Sequence, residues 1–225
     1  MKNINLCAVV MDKSIEDIIQ KLTTMRDKTK FVEIRFDLSI NRKKNDIQLL
    51  SNVQKKHVIF TCRRKDEGGQ FGGSEKERIQ ILKRAFDLGF LVDVELTTLE
   101  ENKMRLSRSM QKRAILSFHD FMKTPSKTDL DSIVKRMAIF NPHIKKIATM
   151  VKNEDDNKRL LNVVIQKNTK ENICVIGMGP LGKKTRIIAP LLGSCMTYCS
   201  INSDGASAPG QMTCNDMNTI YSLLQ

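Results

Sequence analysis

The chain has 225 residues, of which 38 are Lys or Arg and 25 are Asp or Glu, so its formal net charge is +13. Hydrophobic residues make up 40% and charged residues 28% of the chain, which argues against a disordered or collagen-like protein. At ~150 residues per domain, this length favours a single domain over residues 1–225 with a core that needs no crosslinks.

Eight short apolar runs alternate with longer stretches of helical periodicity. Strands are predicted at 4–10, 31–38, 57–62, 90–96, 113–118, 144–150, 172–177 and 194–200. Helices are predicted at 14–28, 43–54, 74–88, 98–110, 127–139, 154–168, 184–191 and 214–224. Ser14, Ser74 and Thr128 are predicted helix caps, each with an acid three residues later, and Gly89 is predicted to end the third helix. The order predicts an α/β fold, a small (β/α)8 TIM barrel, with a doubly wound sheet as the alternative.

Membrane spans, disulfides and metal sites have little support in the sequence. The longest uncharged stretch, 187–203, is broken by Pro190 and Gly193, and the apolar run Leu6–Met11 is too short for a secretory signal, so we expect a cytoplasmic protein. The cysteines stand at 7, 62, 174, 195, 199 and 214 without CxxC spacing, and the histidines at 57, 119 and 143 show no HxxxH pattern. This favours reduced thiols and no metal.

Polar residues recur on one face of successive predicted strands, because side chains alternate with period two. These residues are Glu33, Arg35 and Asp37; Thr61 and Arg63; Asp93 and Glu95; Ser117 and His119; and Lys146 with Ala148 and Met150. The carboxyl ends of barrel strands form the mouth where active sites lie, so this set predicts a pocket for a small, oxygen-rich anion. The alternative is a row of solvated or paired charges at strand edges.

Three side chains carry the chemistry expected of this pocket. Lys146 lies inside an apolar strand, and burial favours the neutral amine that can form a Schiff base with a ketone, unless the side chain snorkels to the strand end. His119, at a strand end, suits proton transfer, with Glu67 able to fix its tautomer; a purely structural histidine is the alternative. Arg186 can fork onto a carboxylate, or it is a surface arginine.

Two loops follow the last strands. Gly177, Gly179 and Gly182 match G-x-G-x-x-G, but only about 43 residues follow, and Lys184 stands where a P-loop needs Ser or Thr. We therefore favour a glycine-rich turn whose backbone amides face an anion. The segment Ala206-Ser-Ala-Pro-Gly-Gln is interpreted as a lid over the mouth, in which Ser207 and Gln211 offer hydrogen bonds, or as a plain surface loop.

Taken in order along nearly the whole chain, the motifs resemble those of type I 3-dehydroquinate dehydratases of the shikimate pathway. They are Glu33-Ile-Arg-Phe-Asp, Thr61-Cys-Arg with Glu67-Gly-Gly, Asp93-Val-Glu-Leu, Ser117-Phe-His-Asp-Phe with Thr124-Pro, Lys146-Ile-Ala, the turn to Arg186, Gly193-Ser, and Ala206-Ser-Ala-Pro-Gly-Gln. The resemblance implies a hydro-lyase that removes water from 3-dehydroquinate by syn elimination and gives 3-dehydroshikimate.

The resemblance also implies residue roles. Lys146 would form the Schiff base, His119 would move the protons, and Glu67 would orient His119. The substrate carboxylate would bind Arg186. Ring hydroxyls would bind Glu33, Arg35 and Arg63, and the substrate would be covered by Ser207 and Gln211. No metal or dissociable cofactor would be needed, and a homodimer is common among look-alikes.

Two other functions stay open on the sequence alone. A lysine on strand six also suits a Schiff-base aldolase for a phosphorylated sugar. Net charge by itself would suit a nucleic-acid-binding protein. However, aromatic residues make up only 5% of the chain, and stacking platforms for single strands are therefore sparse, so we expect a small-molecule partner, with neither nucleic acid nor membrane bound.

Overall fold

The computed structural model describes residues 4–12, 14–38, 44–205 and 207–224. Its eight strands are β1 Leu6–Val10, β2 Phe31–Arg35, β3 Val58–Thr61, β4 Leu91–Glu95, β5 Ala114–Asp120, β6 Ile144–Met150, β7 Ile173–Met178 and β8 Thr197–Ser200. The α-helices are α1 Ile15–Arg26, α2 Glu75–Leu88, α3 Leu96–Glu101, α4 Arg108–Gln111, α5 Lys127–Ile139, α6 Glu154–Ile165, α7 Lys183–Leu191 and α8 Cys214–Leu223. Short 3-10 helices cover Phe36–Leu38, Lys44–Leu50, Lys65–Glu67 and Ser203–Gly205.

The strands form a parallel barrel in chain order. The hydrogen-bonded order is β7-β6-β5-β4-β3-β2-β1-β8, with β1 paired in parallel to both β2 and β8. The remaining seam lies between β7 and β8, where the Cys195 amide donates to the Ile173 carbonyl at 2.8 Å. A doubly wound sheet changes strand order at its centre, so this sequential order confirms the predicted (β/α)8 barrel.

Two apolar layers hold the barrel together. One lies between the strands and the helices and includes Ile34, Phe60 and Leu116, while the other fills the barrel interior with residues such as Val9, Ile115 and Ile176. Polar side chains, among them Glu33 and Lys146, are buried beside this interior layer. The interior of the barrel therefore combines apolar packing with buried charges.

The helix caps predicted from the sequence are correct at some helix ends and wrong at others. Ser14 and Ser74 cap α1 and α2 as predicted, and Gly89 ends α2 with a φ of 95°. The predicted cap at Thr128 is wrong, because Ser126 accepts from the Asp129 amide and α5 begins earlier.

Two predicted helices differ from the structure. The predicted helix 43–54 is a 3-10 helix over Lys44–Leu50, and residue 43 lies outside the described residues. The predicted helix 98–110 is two helices, α3 and α4. Lys103 adopts a φ of 48° after α3, and Ser107 caps a new start. The left-handed conformation of Lys103 interrupts the helical path. None of the described helices is long and apolar enough to cross a membrane.

Candidate active site

One pocket at the barrel mouth brings every predicted site residue together. It is lined by residues from six strands and their following loops and encloses an empty volume of about 490 Å³, counted out to its open mouth. The predicted residues among its lining are Glu33, Arg35, Arg63, Glu67, His119, Lys146, Arg186, Ser207 and Gln211. The polar faces predicted from strand alternation therefore converge in one place.

Lys146 projects into the barrel, not outward to the helices. Its side chain is 8% exposed, and Nζ lies 3.0 Å from Asp93 Oδ2 and 3.7 Å from Glu33 Oε1. Nζ also lies 4.2 Å from the centroid of the Tyr198 ring, which lines the same pocket. Nζ is therefore enclosed by two carboxylates and an aromatic ring, groups that stabilise a positive charge on this nitrogen.

Asp93 is a fixed negative charge beside that nitrogen. Its Oδ1 accepts from Ser117 Oγ at 2.6 Å, and its Oδ2 lies 2.9 Å from an Arg63 nitrogen. Burial alone would raise the pKa of Asp93, but the positive charges of Arg63 and Lys146 hold it well below the ordinary value of a carboxyl. The position was noted in the sequence only as part of a polar face, and its place beside Lys146 depends on barrel closure.

His119 and Glu67 form the second reactive pair. His119 Nδ1 lies 2.9 Å from Glu67 Oε2, and the same oxygen accepts from the His119 backbone amide at 3.1 Å. Burial, with the positive charges of Arg63 and Lys146, lowers the pKa of His119 well below its ordinary value. Burial and the charge of Glu95 raise the pKa of Glu67 to about 7. A neutral imidazole that donates from Nδ1 to a carboxylate keeps its Nε2 lone pair for the pocket.

Strand pairing places this imidazole next to the amine. Ser117 is in register with Lys146, and His119 with Ala148, so the lysine and the histidine share the inner face of neighbouring strands β5 and β6. Residues paired in parallel strands point to the same face, and the two side chains are offset by two positions along their strands. A ketone bound at Lys146 therefore has its neighbouring carbon within the space that His119 faces.

Arg186 is a buried cation that faces the pocket without a carboxylate partner among the described residues. Its Nε donates to the Gly177 carbonyl at 3.1 Å and one terminal nitrogen donates to the Pro209 carbonyl at 3.5 Å. Burial lowers its pKa to about 10, so it keeps its charge at neutral pH. A buried guanidinium of this kind is suited to bind an incoming anion.

The other two pocket arginines are already paired. Arg35 forks onto Asp37 at 2.8 and 3.0 Å, which holds its guanidinium at the pocket wall. Arg63 contacts Glu95 at 3.0 Å as well as Asp93 and Ser117. These pairings leave Arg186 as the arginine of the pocket best suited to accept a new carboxylate.

The glycine-rich turn packs against the β8–α8 loop, and its glycine amides are bonded within the protein. The amides of Gly177, Gly179 and Gly182 donate to the Thr185 hydroxyl, the Pro209 carbonyl and the Gly179 carbonyl, so the prediction that they face an anion is wrong. A Cβ on Gly182 would lie 2.4 Å from the Gly177 carbonyl carbon. The motif therefore reflects close backbone packing.

The β8–α8 loop holds the two predicted lid residues, Ser207 and Gln211, and both line the pocket. Gln211 Oε1 accepts from the Ser207 amide at 2.7 Å and from its hydroxyl at 3.1 Å, so the two predicted lid residues are bonded to each other at the pocket edge. Ala206, also part of the predicted motif, lies outside the described residues.

The prediction that all cysteines are reduced is wrong for one pair. Cys199 in β8 and Cys214 at the start of α8 form a disulfide with a Cα–Cα distance of 4.9 Å, which joins the two ends of the β8–α8 loop. The return of α8 to the end of β8 brings them together, which their spacing of 15 residues does not reveal. Cys7, Cys62, Cys174 and Cys195 form no disulfide within the part of the chain that the structure describes.

A thiol count tests this pairing. Protein denatured without reductant is expected to react with four equivalents of a thiol reagent, since four cysteines lie outside the disulfide, and with six after reduction. Six equivalents before reduction, with the protein purified without reductant and at a low pH that prevents exchange, would show that the disulfide does not form.

The fold and the pocket agree with comparisons to known proteins. The family model for type I 3-dehydroquinase matches residues 6–225. A 3-dehydroquinate dehydratase of Coxiella burnetii is 35% identical over 217 residues, which cover 96% of this chain and 91% of that protein.

Solved structures give the same assignment. The 3-dehydroquinate dehydratase of Geobacillus kaustophilus superposes with a TM-score of 0.86 at 26% identity, covering 100% of this chain and 92% of that one. A type I 3-dehydroquinate dehydratase of Clostridium difficile with covalently modified comenic acid gives 0.79 at 25% identity, covering 98% and 91%. The chain belongs to the type I 3-dehydroquinase family.

Proposed function

We propose that this chain eliminates water from 3-dehydroquinate to give 3-dehydroshikimate, with Lys146 as the Schiff-base nucleophile, His119 as the acid–base group and Glu67 as its orienting partner. The observation that carries the proposal is a buried amine that shares one pocket with a histidine–carboxylate pair. The type I reaction proceeds through a covalent lysine imine and requires no cofactor.

Imine formation begins with loss of a proton from the Lys146 ammonium. Nζ then attacks the substrate ketone carbon, and loss of the former carbonyl oxygen as water gives a protonated imine. Because this iminium carries the same charge as the ammonium, Asp93 and Glu33 stabilise the intermediate as they do the resting lysine. The carboxylates therefore support the cation before and after the carbon–nitrogen bond forms.

Elimination then uses the neutral His119. Its Nε2 takes a proton from the carbon next to the iminium, and the electron pair moves into the nitrogen to form an enamine. The enamine expels the hydroxyl, which leaves as water with the proton carried by His119. Hydrolysis of the imine releases the product and restores Lys146. The Nδ1–H donated to Glu67 stabilises the imidazolium between the two proton transfers.

Around the ring, the other pocket residues hold the substrate. Arg186 binds the carboxylate, Glu33, Arg35 and Arg63 bind ring hydroxyls, and the Ser207–Gln211 pair opens to bond the substrate as the lid closes. This assignment favours a carboxylate substrate over the phosphorylated sugar of an aldolase. A phosphate would need free backbone amides in the glycine-rich turn, and the amides of its three motif glycines already donate to groups of the protein.

Arg186→Ala is expected to raise KM for 3-dehydroquinate by about 10- to 100-fold, since hydrogen bonds to a charged group contribute about 1.5–3 kcal/mol. Steady-state kinetics and binding of carboxylate-bearing ligands measure the change. Arg136→Ala on the exposed face of α5, where the guanidinium bonds Glu100, is the matched control. An unchanged KM in Arg186→Ala would exclude the carboxylate contact.

A direct assay tests the proposed function. Purified protein with 3-dehydroquinate is expected to produce the conjugated enone of 3-dehydroshikimate, followed by its ultraviolet absorbance, and to leave phosphorylated ketose substrates unchanged. No enone from folded protein would contradict the proposal. The homodimer and the cytoplasmic location stay predictions, and light scattering checks the first.

A further inference from the structure

Glu67 has a second contact that none of the roles above uses. Its Oε2 contacts His119 Nδ1, while its Oε1 accepts a hydrogen bond from the Thr97 hydroxyl at 2.6 Å. Thr97 is the second residue of α3, which begins directly after β4. The start of this helix therefore places the Thr97 hydroxyl beside Oε1, the carboxyl oxygen that does not contact His119. The side chain of Thr97 is half-buried and does not line the pocket.

We propose that Thr97 is a positioning residue, whose hydroxyl keeps Glu67 an acceptor of the His119 Nδ1–H and so leaves Nε2 as the base. The inference rests on the proposed function of His119. A carboxylate on Glu67 holds the imidazole proton on Nδ1, whereas a protonated Glu67 would donate to Nδ1 and move the proton to Nε2. In that second form the pocket faces an N–H donor and the base is lost.

The pKa of Glu67 lies so close to neutral pH that one hydrogen bond can decide whether the side chain is ionised. Burial and the charges of Glu95 and Asp93 raise its pKa, Arg63 and the Thr97 hydroxyl lower it, and the result is a pKa of about 7. Its remaining charged contact is His119 itself. Acid and carboxylate are therefore almost equally populated at neutral pH, and loss of a donor shifts the balance toward the acid.

Because His119 is neutral over this pH range, the acid limb of the pH profile of kcat/KM reports the ionisation of Glu67. Burial and the charges of Arg63, Lys146 and Arg35 lower the pKa of His119, and Asp93 raises it, with a net value well below the ordinary one. His119 is therefore already neutral where Glu67 titrates. Since the active form has Glu67 ionised, kcat/KM should rise with pH through about 7 and then level off.

Thr97→Val removes the hydroxyl at almost constant volume. We expect the acid limb of kcat/KM to move upward by about one pH unit, which gives about a five-fold loss at pH 7 and little loss at pH 9. Thr97→Ser should restore the wild-type profile. Thr23→Val is the matched control, since this exposed hydroxyl of α1 donates to the Ile19 carbonyl one turn earlier.

A second readout does not depend on activity. The ¹⁵N resonances of the His119 imidazole, assigned with His119→Gln, report which nitrogen carries the proton in unliganded protein. The midpoint between the two tautomers should move upward by about one unit in Thr97→Val and return in Thr97→Ser. An unmoved midpoint in Thr97→Val would overturn the inference, whereas full elimination by His119→Ala would overturn the proposed function and leave the tautomer result intact.

Discussion

Lys146→Ala is expected to lower turnover of 3-dehydroquinate by roughly 10⁴-fold or more. Removing the amine removes the imine pathway as a whole and not one contact of the transition state. Without an iminium, the carbon next to the ketone has no electron sink, and His119 has no acidified proton to take. Product formation under saturating substrate measures the loss, and circular dichroism checks that the variant is folded.

The adjacent lysine provides a matched control. Lys145 is also buried, but it lies on the opposite face of β6 and pairs with Glu171. Lys145→Ala should keep its turnover to within a small factor, although its stability will fall because Glu171 loses its partner. Comparable activity in Lys146→Ala and wild type would remove the basis for the assigned nucleophile.

His119→Ala is expected to slow elimination by about 10²- to 10⁴-fold while imine formation continues. Carbonyl attack requires Lys146, whereas proton removal from carbon requires the imidazole, so the two steps should separate in this variant. Rapid-quench measurements follow them independently, with the covalent adduct as one signal and the enone as the other. We expect the adduct to accumulate in His119→Ala.

The control for this variant is Glu67→Gln. This variant keeps the shape of the side chain but replaces the carboxylate with a neutral amide. It should therefore lose part of the elimination rate, and the acid limb of its kcat/KM profile near pH 7 should flatten. Equal loss of imine formation and elimination in His119→Ala would contradict the division of labour between Lys146 and His119.

The barrel and its site face could be predicted because both depend on period-two alternation in buried strands. Lys146 shows this well: its position inside Ile144–Met150 fixes which way it points once that strand is placed in a barrel. Glu33, Arg35 and His119 follow from the same alternation on β2 and β5. Glu67 and Arg186 lie outside the strands, in a 3-10 helix and in α7, and do not follow from it. The family motifs then gave each of them a role.

The rest depends on contacts between distant segments, which local patterns do not contain. The Cys199–Cys214 disulfide requires α8 to return to β8, and the contact between Thr97 and Glu67 requires β3 and β4 to end side by side. Asp93 was visible as a polar residue, but its pairing with Lys146 crosses the barrel. The break after α3 depends on the left-handed conformation of Lys103, for which the sequence carries no glycine signal.

Borohydride reduction in the presence of 3-dehydroquinate tests the central claim most directly, because reduction converts a transient imine into a stable secondary amine. Intact-mass spectrometry should show one substrate-derived adduct per chain, and fragmentation of the peptide that contains both lysines should place it on Lys146. An adduct on Lys145, or trapping of equal yield in Lys146→Ala, would contradict the account.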